Sequence, residues 1–157
     1  MLFLTFFPYL FYRLTEFDPN LFAEMTELET LILDKNMIRS ISQLPYLPKL
    51  TKLSIAENKL EQVGTSLDKS LQNLTSLDLH GNKLESIDLS QLEKLQEVSL
   101  NNNNLKTIPN FKSNVLQSID LGENSIEEIP EGIFSEQLET LYALRLSGND
   151  ISGKKLS

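Results

Sequence analysis

Asp78 and His80 stand two residues apart in the run Leu77-Asp78-Leu79-His80. In extended backbone, alternate side chains leave the chain on the same side, so this carboxylate and imidazole would share a face. Such a pair can shuttle a proton or offer two ligands to a metal ion. Glu97, just before Val98, and Asp120, between Ile119 and Leu121, add further carboxylates. A second group with chemical capacity is the run Asn101 to Asn104, four consecutive amides that can each donate and accept hydrogen bonds. What either group does depends on the backbone that holds it.

That backbone is periodic. Reading outward from Asn103 gives Leu95, Val98, Leu100, Asn103, Leu105 and Ile108. The same frame recurs around Asn36, Asn58, Asn82, Asn124 and Asn149, so six units fit L-x-x-L-x-L-x-x-N-x-L with no asparagine missing. The units start near residues 28, 50, 74, 95, 116 and 141. The fourth- and sixth-position residues share one face of a short strand, while the residue between them points to solvent. No unit can bury its apolar face alone; stacking creates one continuous core. Strands are predicted near residues 30–33, 52–55, 76–79, 97–100, 118–121 and 143–146.

This pattern resembles the leucine-rich repeat family, over residues 28–151. The resemblance implies an α/β-type solenoid: a right-handed horseshoe with a parallel β-sheet on the concave face. Its convex segments are expected to be mostly irregular, 3-10 or short helical. Residues 1–27 are expected to form an aromatic-rich, degenerate N-terminal repeat or cap, with Leu4, Phe7, Tyr9, Tyr12, Leu14 and Phe17 in the frame. Residues 28–157 then hold the repeats, with no evident C-terminal cap, so self-association through the last repeat is expected. Two subtypes are echoed. "ISQLPYLPKLTKLSIAENKL" resembles repeats of intracellular regulators such as the protein phosphatase-1 regulatory subunit, and "IPEGIFSEQLETLYALRLSGNDI" resembles those of Toll-like receptor ectodomains.

With the frame in place the four asparagines separate. Asn103 belongs to a structural ladder with Asn36, Asn58, Asn82, Asn124 and Asn149, turned inward to satisfy backbone groups. Asn101, Asn102 and Asn104 fall at solvent-facing positions. The acid–base and metal prospects recede. Asp78 and Asp120 lie two strands apart, about 10 Å at ~4.8 Å per strand, too far for shared ligation. An open sheet also lacks the water-excluding pocket that would raise a carboxylate's pKa. His80 is the only histidine, cysteine is absent, and there is no glycine-rich phosphate loop. No catalytic, cofactor-binding or metal-binding residue is expected. The family commonly binds proteins on the concave face, so partner contact is expected at Ile32, Lys52, Asp78, His80, Glu97, Asn101, Asp120 and Arg145. Ser54, Ala56 and Gly122 are expected to face solvent on the same wall.

Composition agrees with a binding module. The 157 residues are 40% apolar and carry a formal net charge of −8, which disfavours nucleic acid and anionic lipid. The aromatic stretch "MLFLTFFPYLFY" is well short of the ~20 apolar residues that cross a bilayer, so membrane insertion of this segment is not expected. The lack of cysteine favours a reducing compartment. The expected function is therefore non-enzymatic binding of a partner protein, as a cytoplasmic scaffold or regulatory subunit that takes part in signalling. The alternative is a fragment of an extracellular receptor ectodomain of the innate-immunity or adhesion type. Asn73-Leu74-Thr75 is a glycosylation sequon, of consequence only in that second case.

Overall fold

The computed structural model describes residues 14–16, 18–41, 44–63 and 71–152. Six three-residue strands form one sheet: β1 (Thr30–Ile32), β3 (Lys52–Ser54), β5 (Ser76–Asp78), β7 (Glu97–Ser99), β9 (Ser118–Asp120) and β10 (Ala143–Arg145). They lie in chain order and every pairing is parallel. The register sets Leu31, Leu53, Leu77, Val98, Ile119 and Leu144 side by side, one from each unit. Each strand ends one residue earlier than the repeat spacing predicts, because the chain already bends at the sixth-position leucine toward its turn.

The opposite wall holds two further parallel pairs, absent from the sequence-based expectation: β2 (Ser40–Ile41) with β4 (Gln62–Val63), and β6 (Asp88–Leu89) with β8 (Asn110–Phe111). Among the described residues the convex segments are otherwise turns and two 3-10 helices, Pro19–Phe22 and Ser135–Gln137. The first starts where Asp18 accepts the Asn20 N–H at 2.9 Å, just ahead of a proline that needs no donor partner.

Between the walls runs one core. Leu50, Leu74, Leu95 and Leu116 form one buried row, and Ile38, Leu60, Leu84, Leu105 and Ile126 form another. Each such side chain stabilises the stack by roughly 1.5–3 kcal/mol through removal from water. The C-terminal end departs from this pattern. Leu47, Leu71 and Leu92 fill one core slot in three successive units, whereas Ser113 and Gln137 fill it in the next two. Gln137 Nε2 donates to the Ser113 carbonyl at 2.9 Å, and Leu138 is pushed out to 79% exposure. Ile129 is also exposed, although the frame assigns it to the apolar set.

The residues proposed to complete the degenerate first repeat lie mostly outside the described residues. Leu14 is described, and its N–H donates to Asn36 Oδ1 at 3.1 Å.

Candidate partner-binding face

At the end of each concave strand the chain makes the same turn, and an asparagine amide closes it. Asn82 shows the arrangement. Its Nδ2 donates to its own unit's Leu79 and His80 carbonyls, at 3.0 and 3.3 Å, and to Ile55 O of the preceding unit at 2.9 Å. Its Oδ1 accepts the Leu60 N–H of that preceding unit at 3.0 Å. Asn58, Asn103 and Asn124 make the equivalent four contacts. Asn149 bonds to Leu121, Leu146 and Ile126, while Asn36 bonds to Leu33, Asp34 and Leu14.

The residue just before each asparagine has positive φ: Lys35, Glu57, Gly81, Asn102, Glu123 and Gly148. This slot is the left-handed region, which glycine and asparagine tolerate best. Asn102, at φ 60°, is therefore shaped by the turn and is not an incidental neighbour of Asn103. Asn101 is half-buried, with Oδ1 accepting the Ser99 hydroxyl at 2.8 Å, and Asn104 is exposed.

The strands that end in these turns project their alternate residues onto the wall. Ile32 is 60% exposed between buried Leu31 and Leu33. Three aspartates work for the backbone. Asp34 Oδ1 accepts from Ser54 Oγ at 2.6 Å and from the Ala56 N–H at 2.9 Å. Asp78 Oδ1 accepts the His80 N–H, and Asp120 Oδ1 accepts the Gly122 N–H, both at 3.0 Å. These bonds correct the expectation that Ser54, Ala56 and Gly122 face solvent. Ser54 and Ala56 are buried beneath Asp34, and Gly122 packs under Asp120 and Ser147.

His80 Nδ1 lies 2.8 Å from Asp78 Oδ1, and its Nε2 lies 3.8 Å from Glu57 Oε1, which in turn is 3.6 Å from Lys35 Nζ. The imidazole thus joins carboxylates of two units. Among the described residues no hydroxyl bonds to it, and no group of three or more metal-ligating side chains gathers. Arg145 Nη1 faces Asp120 Oδ2 at 3.7 Å.

A shallow depression of about 410 Å³ runs across this wall. It brings together Ile32, Lys52, Asp78, Glu97, Asp120 and Arg145. His80 and Asn101 stand outside its lining, at the rim where the chain turns. Asp34, which also lines it, was missed as a structural acceptor by sequence reasoning. Nothing in its spacing marks the reach to the next unit. Elsewhere on the surface, Lys106 lies 2.8 Å from Glu85, and its hydrogen bond, then its charge, hold the Glu85 carboxyl below the ordinary value. Glu27 raises Lys49 above its ordinary value in the same way. No helix among the described residues is long and apolar enough to cross a membrane.

With this geometry in place, comparison with known proteins is direct. The family model described as "Leucine-rich repeat" matches residues 12–123. Over 84 residues the chain is 33% identical to "Probable U2 small nuclear ribonucleoprotein A'" of Drosophila melanogaster, covering 54% of this chain and 31% of that protein. A leucine-rich repeat protein of Leptospira interrogans superposes with a TM-score of 0.79 at 29% identity, covering 90% of this chain and 36% of that one. A chain in the octameric complex of Latrophilin 3, Unc5D and FLRT2 (LRR) superposes with a TM-score of 0.67 at 22% identity, covering 83% and 41%. That last likeness concerns the fold alone. The chain spans well under half the length of each of these proteins.

Proposed function

The chain belongs to the leucine-rich repeat family, and from that premise we propose that it is a non-enzymatic module whose concave wall holds a partner protein. Its role is that of an intracellular scaffold or regulatory subunit. One observation carries this conclusion: the inner turn repeats the same bonds in unit after unit, while the wall beside it changes its side chain at every strand. Fold requirements account for the turn and for three wall aspartates; they leave Ile32, Lys52 and Glu97 unexplained.

An acidic chain of net charge −8 suits contact with protein rather than with phosphate backbones. The resemblance to a subunit named for a nuclear ribonucleoprotein supports a place inside the cell, within an assembly. The receptor-ectodomain alternative draws on the long unit between residues 116 and 141. The same proposal includes self-association at the last described strand, where Leu144 is 39% exposed and Leu141, Leu146 and Ile151 are only partly buried. A monomer in sedimentation at tens of micromolar would remove that part.

The test is capture of a partner from lysate with the full chain, repeated with Ile32→Asp, with Glu97→Lys, and with a convex control at Glu127 and Glu128. Loss of the partner with the two wall variants alone is expected. Loss with the convex control alone would overturn the concave wall as the site.

A further inference from the structure

Most charges on the wall are already engaged. Asp34, Asp78 and Asp120 accept backbone N–H groups, and Arg145 faces Asp120. Lys52 and Glu97 differ: both are exposed, and neither side chain has an ion-pair or hydrogen-bond partner among the described residues. Both pair in register with Ser76, from opposite sides. Two strand spacings of ~4.8 Å therefore set them about 10 Å apart, too far to neutralise each other. Ile32 stands on the edge strand β1, one strand beyond Lys52 and level with Ser54, and is an exposed apolar side chain on that end of the wall.

The occupant's backbone is constrained as well. The strands between β1 and β10 spend their N–H and C=O groups on neighbours at both sides. An extended peptide laid on the face would find no ladder to join, whereas an α-helix satisfies its own backbone. Side chains two turns apart on a helix are separated by about 10.5 Å, which matches the Lys52–Glu97 spacing. Across the strands, the step from β1 to β3 is close to one turn of about 5.4 Å, and the two-residue offset of Ile32 along the strand, roughly 6.7 Å, falls within the ~10 Å width of a helix.

Resting on the protein-binding conclusion above, we propose that the wall takes an amphipathic partner helix lying across the strands, its N-terminal end over β1. It presents an apolar residue to Ile32, a carboxylate one turn later to Lys52, and a lysine or arginine two turns after that to Glu97. An acid toward the N-terminus and a base toward the C-terminus is also the order the helix's own dipole favours.

The experiment is a yeast-displayed library of single helices with one randomised face, selected against the full chain. Enriched helices are expected to share an acid followed about seven residues later by a base. They should weaken roughly tenfold against Lys52→Glu with Glu97→Lys, and helices with the two charges exchanged should recover that loss. Helices that lose binding with Ile32→Asp yet show no such spacing would overturn the charge geometry and leave the concave site standing. Helices indifferent to Ile32→Asp would overturn both. A library that yields no binder would overturn the helical occupant.

Discussion

Asn103 and Glu97 lie six residues apart in one unit, and they obey different rules. The asparagine sits in a turn that recurs with the same acceptors and nearly the same distances from Asn58 to Asn124. The glutamate sits on a wall where the same register position holds Lys52, Ser76 and Ser118 in neighbouring strands. Inside, a buried amide that fails to bond costs ~1–3 kcal/mol per unpaired group, so the fold dictates the residue. Outside, water satisfies whatever side chain is present, so the fold is indifferent and the residue is free to serve recognition.

The sharpest way to break that distinction is to remove an inner amide. Asn82→Leu leaves the Leu60 N–H without its acceptor and the Ile55 carbonyl with Asn58 as its one remaining amide donor, and a loss of about 1–3 kcal/mol is expected in urea titration. Asn104→Leu, one residue outside the ladder, should be nearly silent; equal losses at the two sites would dissolve the comparison. An intermediate effect belongs to the left-handed slot. Asn102→Val should cost about 1–2 kcal/mol, because a β-branched side chain crowds the backbone at φ 60°, while Asn102→Gly should cost nothing. A silent valine would mean that the turn relaxes and the slot is not constrained.

On the wall, Glu97→Lys should stay within ~0.5 kcal/mol of the parent in stability while abolishing partner capture. A large stability loss there would show that the wall, too, is governed by folding. The smallest effect is at the exposed Glu85–Lys106 pair. Glu85 has its pKa lowered on folding, so what it contributes is present above the ordinary carboxylate range and fades as pH falls through the lowered value. Lys106→Met should raise the Glu85 titration midpoint in a carboxyl-carbon NMR experiment, by less at high salt, with the fold unchanged. A midpoint that does not move would remove the pairing.

The sequence was most informative where a slip would be most costly. Shifting a strand by one residue turns Leu53 or Leu77 from core to solvent, so the alternation states the register outright. The asparagine slots were legible for the same reason. The left-handed slot was written less plainly, yet Gly81, Asn102 and Gly148 all occupy it and supply a signal that could have been used. The structural bonds of Asp34 escaped notice because they cross units, to Ser54 and Ala56, and spacing within a unit does not encode that reach. The outer pairs β2–β4 and β6–β8 escaped notice since they depend on how segments of unequal length come to rest against each other. On the wall, the spacing identified Ile32, Lys52 and Glu97 as facing outward, while side-chain pairing (Arg145 with Asp120, and Lys52 with none of the described residues) follows only from the register and the side-chain positions.

Each ladder asparagine reaches backward, never forward. Asn149 holds Leu121 O and the Ile126 N–H of the unit before it, just as Asn124 holds Leu100 O and the Leu105 N–H. Peeling away the last unit therefore takes the acceptor of the Ile126 N–H and one of the two amides on Leu121 O, while Asn124 keeps its own bonds. Peeling away the N-terminal end takes from Asn36 its contact with Leu14 but leaves its bonds to Leu33 and Asp34 in place. Every joint is thus one-sided: a unit lost from the C-terminal end leaves backbone groups unanswered, whereas a unit lost from the N-terminal end leaves an amide with fewer bonds, as Asn58 would be without Leu33 and Ile38.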